Sequence, residues 1–190
     1  MKQLFILLFL SIGLWAESSG LYLQGNVGST SLTEHSYKTD TGYNGSLAVG
    51  YQLNALRFEV EITESKSKIN NFTSATDYTS TGDVEMQNRL INIYYSFYNQ
   101  TDLTSSFGLG VGTTDFNFKD VEILNSAVAD KSVSNLLTYQ LSCAVGYMAT
   151  KNLTYDFRYR YISTQSDENI KIDSSEVGTH IFSLGLRYMF

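Results

Sequence analysis

Proline is missing from this chain, and cysteine occurs once, as Cys143. Without proline every backbone N–H remains a donor, so nothing in the composition interrupts a continuous β-ladder. A single thiol excludes an internal disulfide framework. Basic residues are scarce: 13 Lys and Arg stand against 19 Asp and Glu, a formal net charge of −6. That balance offers no electrostatic footprint for nucleic acid. Long apolar runs are missing too. The longest, Leu4 to Trp15, falls short of the roughly 18 residues that a membrane helix needs. What is present is aromatic and small: 14 Tyr, 11 Phe and 14 Gly. Tyr and Phe suit strands and membrane interfaces.

The N-terminal run reads as a secretory signal peptide. Lys2 supplies the positive start, Leu4–Trp15 the apolar stretch, and Ala16 the small residue at its end. Cleavage after Ala16 or after Ser18 fits this pattern. We take residues 1–16 as the leader and 17–190 as one domain. Losing Lys2 takes the net charge from −6 to −7. No cysteine stands at the boundary to carry a lipid anchor. An exported chain without a helical anchor is left with the periplasm, secretion or an outer-membrane barrel.

The last thirteen residues, GTHIFSLGLRYMF, decide among these. His180, Phe182, Leu184, Leu186, Tyr188 and Phe190 share one face of an extended strand. Thr179, Ile181, Ser183, Gly185, Arg187 and Met189 share the other. An apolar face edged by rings, opposite a smaller and more polar face, is what a strand needs between lipid and a crowded lumen.

Seven more segments repeat the alternation. They are about Leu21–Ser29, Tyr43–Leu53, Leu56–Thr63, Glu85–Tyr98, Leu103–Asn117, Asn135–Met148 and Leu153–Ser163. Most reach the roughly 9–11 residues of a tilted transmembrane strand. Tight turns at Asn54-Ala55, Asn99–Asp102 and Ala149–Asn152 alternate with long polar connections at Thr30–Gly42, Glu64–Asp83, Lys119–Ser134 and Thr164–Val177. Three short and four long connections predict an eight-stranded antiparallel up-and-down transmembrane β-barrel, all-β, with both termini on the periplasmic side. A lipocalin-like barrel shares this topology but would turn its apolar set inward around a ligand. Here the polar set carries charges in mid-strand, which belong in a hydrated lumen.

Taken together, the leader, the eight strands, the loop alternation and terminal Phe190 resemble the small OmpA/OmpX-type outer-membrane barrels. The closing Leu184, Leu186, Tyr188 and Phe190 resemble the C-terminal signal of bacterial outer-membrane proteins. That resemblance implies recognition by the barrel-assembly machinery. With nothing following Phe190 in this sequence, the periplasmic peptidoglycan-binding domain of full-length OmpA proteins is expected to be absent.

Seven charges fall on lumen-facing positions: Arg57, Glu59, Glu61, Asp156, Arg158, Arg160 and Arg187. Their segments lie opposite each other in an eight-stranded ring, and counting from the turns sets Glu61 level with Arg158. A salt-bridge network filling the interior is the plain expectation. An ion path or gate and a catalytic carboxylate pair are the alternatives. Gly108, Gly110 and Gly112 share one strand face with no helix after them, so they are no dinucleotide fingerprint. They make room for neighbours such as Tyr94 and Gln140. His180 and Ser183 are three apart and point to opposite faces, unlike the Ser/His pair, two residues apart, of lipid A deacylase barrels. His35 has no cysteine or carboxylate cluster at zinc-ligand spacing, and Cys143 faces lipid by parity.

The sequence therefore predicts a non-enzymatic integral outer-membrane protein without metal or cofactor. It would support the envelope or present its loops. A small-solute channel and an outer-leaflet lipid-modifying enzyme are the competing readings. The expected partners are outer-membrane lipid and lipopolysaccharide, the barrel-assembly machinery through the last strand, and an extracellular partner for the loops. The long loops carry −6 of the −7 charge.

Overall fold

The computed structural model describes residues 19–33, 37–39, 41–72, 80–123, 126–127, 131–165 and 176–190. The expected leader and His35 lie outside these residues. Among the described residues ten strands follow one another: β1 (Ser19–Thr33), β2 (Tyr37–Thr39), β3 (Gly42–Leu53), β4 (Leu56–Phe72), β5 (Ser80–Phe97), β6 (Leu103–Ile123), β7 (Ser126–Ala127), β8 (Lys131–Met148), β9 (Leu153–Gln165) and β10 (Glu176–Met189).

Eight of them form a ring in which each long strand pairs antiparallel with its neighbours in sequence. The ring closes where β1 meets β10, from Tyr22 opposite Met189 to Thr33 opposite Gly178. Closure removes the free edges that an open sheet would present. The short β2 bridges β1 and β4, and β7 pairs with β6. The chain is thus a closed eight-stranded antiparallel barrel, as the alternation implied.

The turns explain themselves locally. Leu53 pairs with Leu56 across Asn54-Ala55, and Asn54 takes a φ of 53°. Asparagine accepts this left-handed conformation better than most residues with a side chain. At Asn99–Asp102, the Asn99 Oδ1 accepts from the Thr101 amide at 2.8 Å and from its hydroxyl at 2.6 Å.

Side chains sort by parity. Leu21, Leu47, Val60, Ile91, Leu109, Leu141, Phe157 and Leu184 face outward and are exposed. Tyr22, Ala48, Glu59, Asn92, Gln140, Arg158 and Ser183 face inward and are buried. The outer face meets lipid, so exposure of Leu, Ile and Val there costs nothing. Rings gather at its periplasmic border: Tyr51, Phe58, Tyr95, Phe107, Tyr147, Tyr155, Tyr188 and Phe190 are all outward.

The strands are longer than the sequence pattern implied, chiefly because the pattern changes above the lipid boundary. On β4, β5 and β6 the outward set changes from Ile62, Ile91 and Val111 to Glu64, Arg89 and Asp115. Beyond that boundary apolar residues enter the inward set beside Ser65 and Ser67: Val84, Met86 and Phe116 pack with Val177, flanked by Leu32 and Leu136. The strands continue above the membrane with the polarity of an ordinary soluble barrel. The span Glu64–Asp83, expected as a loop, is therefore strand at 64–72 and 80–83. The same holds for much of Lys119–Ser134 and for the ends of Thr30–Gly42.

A bulge adds to the disguise. The register between β6 and β8 shifts between Thr114 and Phe116, and Asn135 takes a φ of 62°. Its amide donates to Asp115 Oδ1 at 2.8 Å. Below the bulge Thr138 faces in; above it Val133 does. A parity pattern read along the sequence stops at that point.

Candidate functional site

The lumen charges come from β4, β9 and β10, whose inward positions meet across the interior. Arg158 Nη1 lies 3.3 Å from Glu59 Oε1 and 3.8 Å from Glu61 Oε2. Arg160 Nη1 lies 2.5 Å from Glu61 Oε1. All four side chains are buried. The register expected from the sequence paired Glu61 with Arg158. In the structure the closest partner of Glu61 is Arg160, and Arg158 sits between the two glutamates. Strand stagger in a sheared barrel shifts heights by about one inward residue, which counting from turns does not capture.

Neutral groups complete the network. Tyr22 Oη donates to Glu59 Oε2 at 3.0 Å, and Asn92 Nδ2 reaches Glu61 Oε2 at 3.1 Å. Arg158 donates to Tyr94 Oη at 3.2 Å, and Arg160 to Thr63 Oγ1 at 3.1 Å. Arg57 and Arg158 both lie against the Tyr94 ring, 4.9 and 5.0 Å from its centroid. Such contacts favour the cation without supplying a counter-charge. Gly108 faces that ring: a Cβ there would lie 2.2 Å from a Tyr94 ring carbon. Gly110 likewise clears Asn92, and the Cβ of Gln140 is also close. Gly108 and Gly110 accommodate side chains of the neighbouring strands, the role their spacing suggested, whereas a Cβ at Gly112 would meet the Arg89 backbone carbonyl instead of a side chain.

Toward the outer end the interior turns apolar. Leu90, Ile162 and Ile181 form one buried cluster. Asn88, Thr114, Thr138 and Thr164 join through hydroxyl contacts of 2.6 to 3.4 Å. The Val84, Met86, Phe116 and Val177 cluster lies beyond. The sequence reading missed these apolar layers. Their signal was present in the inward parity of Ile162, Ile181 and Leu90, but apolar residues on the polar face invite no attention unless each strand is followed past the lipid boundary.

Other candidates separate. His180 faces outward, its Nδ1 2.8 Å from Tyr159 Oη, among Tyr161 and Phe182 at the outer interface. Ser183 faces inward, its hydroxyl 3.5 Å from the Arg158 carbonyl. The two do not converge. Cys143 is outward and exposed on the lipid face.

Above the lipid boundary the outer wall carries partly exposed ion pairs. Lys66 meets Asp83 at 2.9 Å and Glu85 at 3.4 Å; Lys119 meets Glu85 at 2.6 Å; Arg89 meets Asp115 at 2.8 Å. The hydrogen bond from Lys66 to Asp83 raises the Lys66 pKa. The hydrogen bond from Lys119 lowers that of Glu85.

At the C-terminus, Phe190 follows β10. Its amide donates to the Leu21 carbonyl at 3.0 Å, and its ring meets Tyr188 edge-on at 5.2 Å. The terminal residue is thus tied to the first strand while its ring points to lipid.

A closed barrel with a lipid-facing apolar belt, rings at its border and a buried polar interior defines an integral outer-membrane β-barrel protein. A family model for an outer membrane protein beta-barrel domain matches residues 4–190, and the chain belongs to that family. It resides in the bacterial outer membrane. No curated protein matches by sequence. Among solved structures, Neisserial surface protein A is similar at 22% identity and a TM-score of 0.69, over 92% of this chain and 100% of that one. Ail, the attachment invasion locus protein of Yersinia pestis, is similar at 17% identity and a TM-score of 0.53, over 90% and 100%. The outer membrane protease OmpT of Escherichia coli is similar at 10% identity and a TM-score of 0.53, over 92% and 99%. At these identities the likeness concerns the fold alone.

Proposed function

We propose that this barrel is a non-enzymatic envelope protein whose interior is a plug and whose working surface is its outer end. One observation carries the reading: the lumen is filled by a buried ion-pair network and then by apolar layers. Among the described residues, such an interior favours a plug over a solute path. The strands that rise past the lipid boundary support the loops as a rigid stalk. Attachment, the role in the name of Ail, is one use of such a surface. The partners that fit this reading are lipopolysaccharide around the outer rim and an extracellular ligand at the loops. The last strand, Leu184 to Phe190, would engage the barrel-assembly machinery during insertion.

The enzymatic alternative is tested directly. Expression in an outer-membrane host should leave the acyl pattern of lipid A unchanged by mass spectrometry. It should also leave added peptide substrates uncut. A new lipid A species or a cleaved peptide that depends on this chain would overturn the non-enzymatic reading.

A further inference from the structure

The lumen charges divide unevenly. Toward the middle, Arg158 and Arg160 balance Glu59 and Glu61 through three contacts. Toward the periplasmic end, Arg57 and Arg187 face a single carboxylate, Asp156, and that carboxylate lies 3.7 Å from Arg187 Nε. Arg57 makes no ion pair among the described residues. It is 1% exposed. Its Nη2 donates to Ser106 Oγ at 3.1 Å, while Nε and Nη1 have no protein partner. Asp156 is thus shared between two guanidiniums, and the one positive charge left over in such a confined site is costly. Tyr22 and Tyr94 rings near it carry no net charge.

The surroundings fit a small counter-ion. The inward residues of β6 and β8 at this end are short: Thr104, Ser106, Ser142 and Ala144. Ser142 Oγ also has no protein partner. Ser106, Ala144 and Arg187 keep 7–9% exposure, whereas Arg158 and Arg160 keep none. Solvent therefore reaches the periplasmic mouth of the lumen, below the sealed middle at Arg158 and Arg160. We propose that the periplasmic end of the lumen binds one small monovalent inorganic anion of the halide type, held by Arg57 beside Ser106. The anion completes the charge balance that the protein's own carboxylates leave open.

The test uses the purified mature chain in zwitterionic micelles. Its thermal unfolding midpoint is followed by circular dichroism as chloride replaces gluconate at constant ionic strength. The midpoint should rise and saturate with chloride, and bromide should act likewise. Ser106→Asp places a carboxylate against Arg57. It should raise the midpoint in gluconate and abolish the chloride response. If that variant does not fold, Arg57→Gln removes the excess charge and should lose the response as well. A wild-type midpoint indifferent to chloride would overturn the proposal. So would a full chloride response in either variant.

Discussion

Replacing Glu61 with alanine is expected to lower the unfolding free energy by about 3–5 kcal/mol, the usual cost of breaking one side of a buried ion pair. Glu61 is 1% exposed. One oxygen accepts from Arg160 at 2.5 Å, and the other lies 3.8 Å from Arg158. Without it, two buried guanidiniums share Glu59, and the lumen's excess positive charge doubles. The effect should show as a lower urea midpoint in micelles. Circular dichroism is the readout, because the chain's one tryptophan, Trp15, lies in the expected leader.

The geometry also ranks the partners. A double-mutant cycle of Glu61→Ala with Arg160→Met should return a coupling toward the top of the usual range of about 0.5–3 kcal/mol. The cycle with Arg158→Met should return a smaller one, because Arg158 keeps Glu59 at 3.3 Å. Equal couplings, or additivity in both, would show that the interior does not pair as described.

Deletion of Phe190, or Phe190→Asp, is expected to remove most of the folded, heat-modifiable species from outer-membrane fractions. Met189→Asp should remove far less. Phe190 presents its ring to lipid and is 76% exposed, while Met189 lies on the inner side at the rim. A charge at Phe190 enters the interface at the seam where β10 and β1 close the ring. It also removes the terminal aromatic of the segment that resembles an assembly signal. Refolding the same variants from urea into micelles separates the two causes. A recognition defect disappears in vitro, and a stability defect persists. Equal yields of the two variants in cells would contradict both causes.

Much of this architecture was legible because the membrane imposes a period-two code. Leu103, Phe107, Leu109 and Val111 opposite Ser106, Gly108, Gly110 and Gly112 state which face meets lipid without reference to any partner strand. The same parity separated His180 from Ser183 and assigned all seven lumen charges to the interior. Three things were not legible. Strand ends were hidden because the code inverts above the membrane: Met86 and Phe116 turn inward just as Glu64 and Arg89 turn outward. The β8 extension was hidden by the bulge at Asn135, where parity slips by one. The pairing of Glu61 with Arg160 was hidden because register across a barrel depends on shear, which no single strand encodes.

The central claim is a sealed interior, and single-channel recording tests it most directly. Eight strands enclose a space that side chains can fill, and here the ion-pair network and two apolar clusters occupy it. Purified protein in planar bilayers should give a flat baseline with at most brief, small openings. Large steady conductance in the wild-type protein would contradict the account.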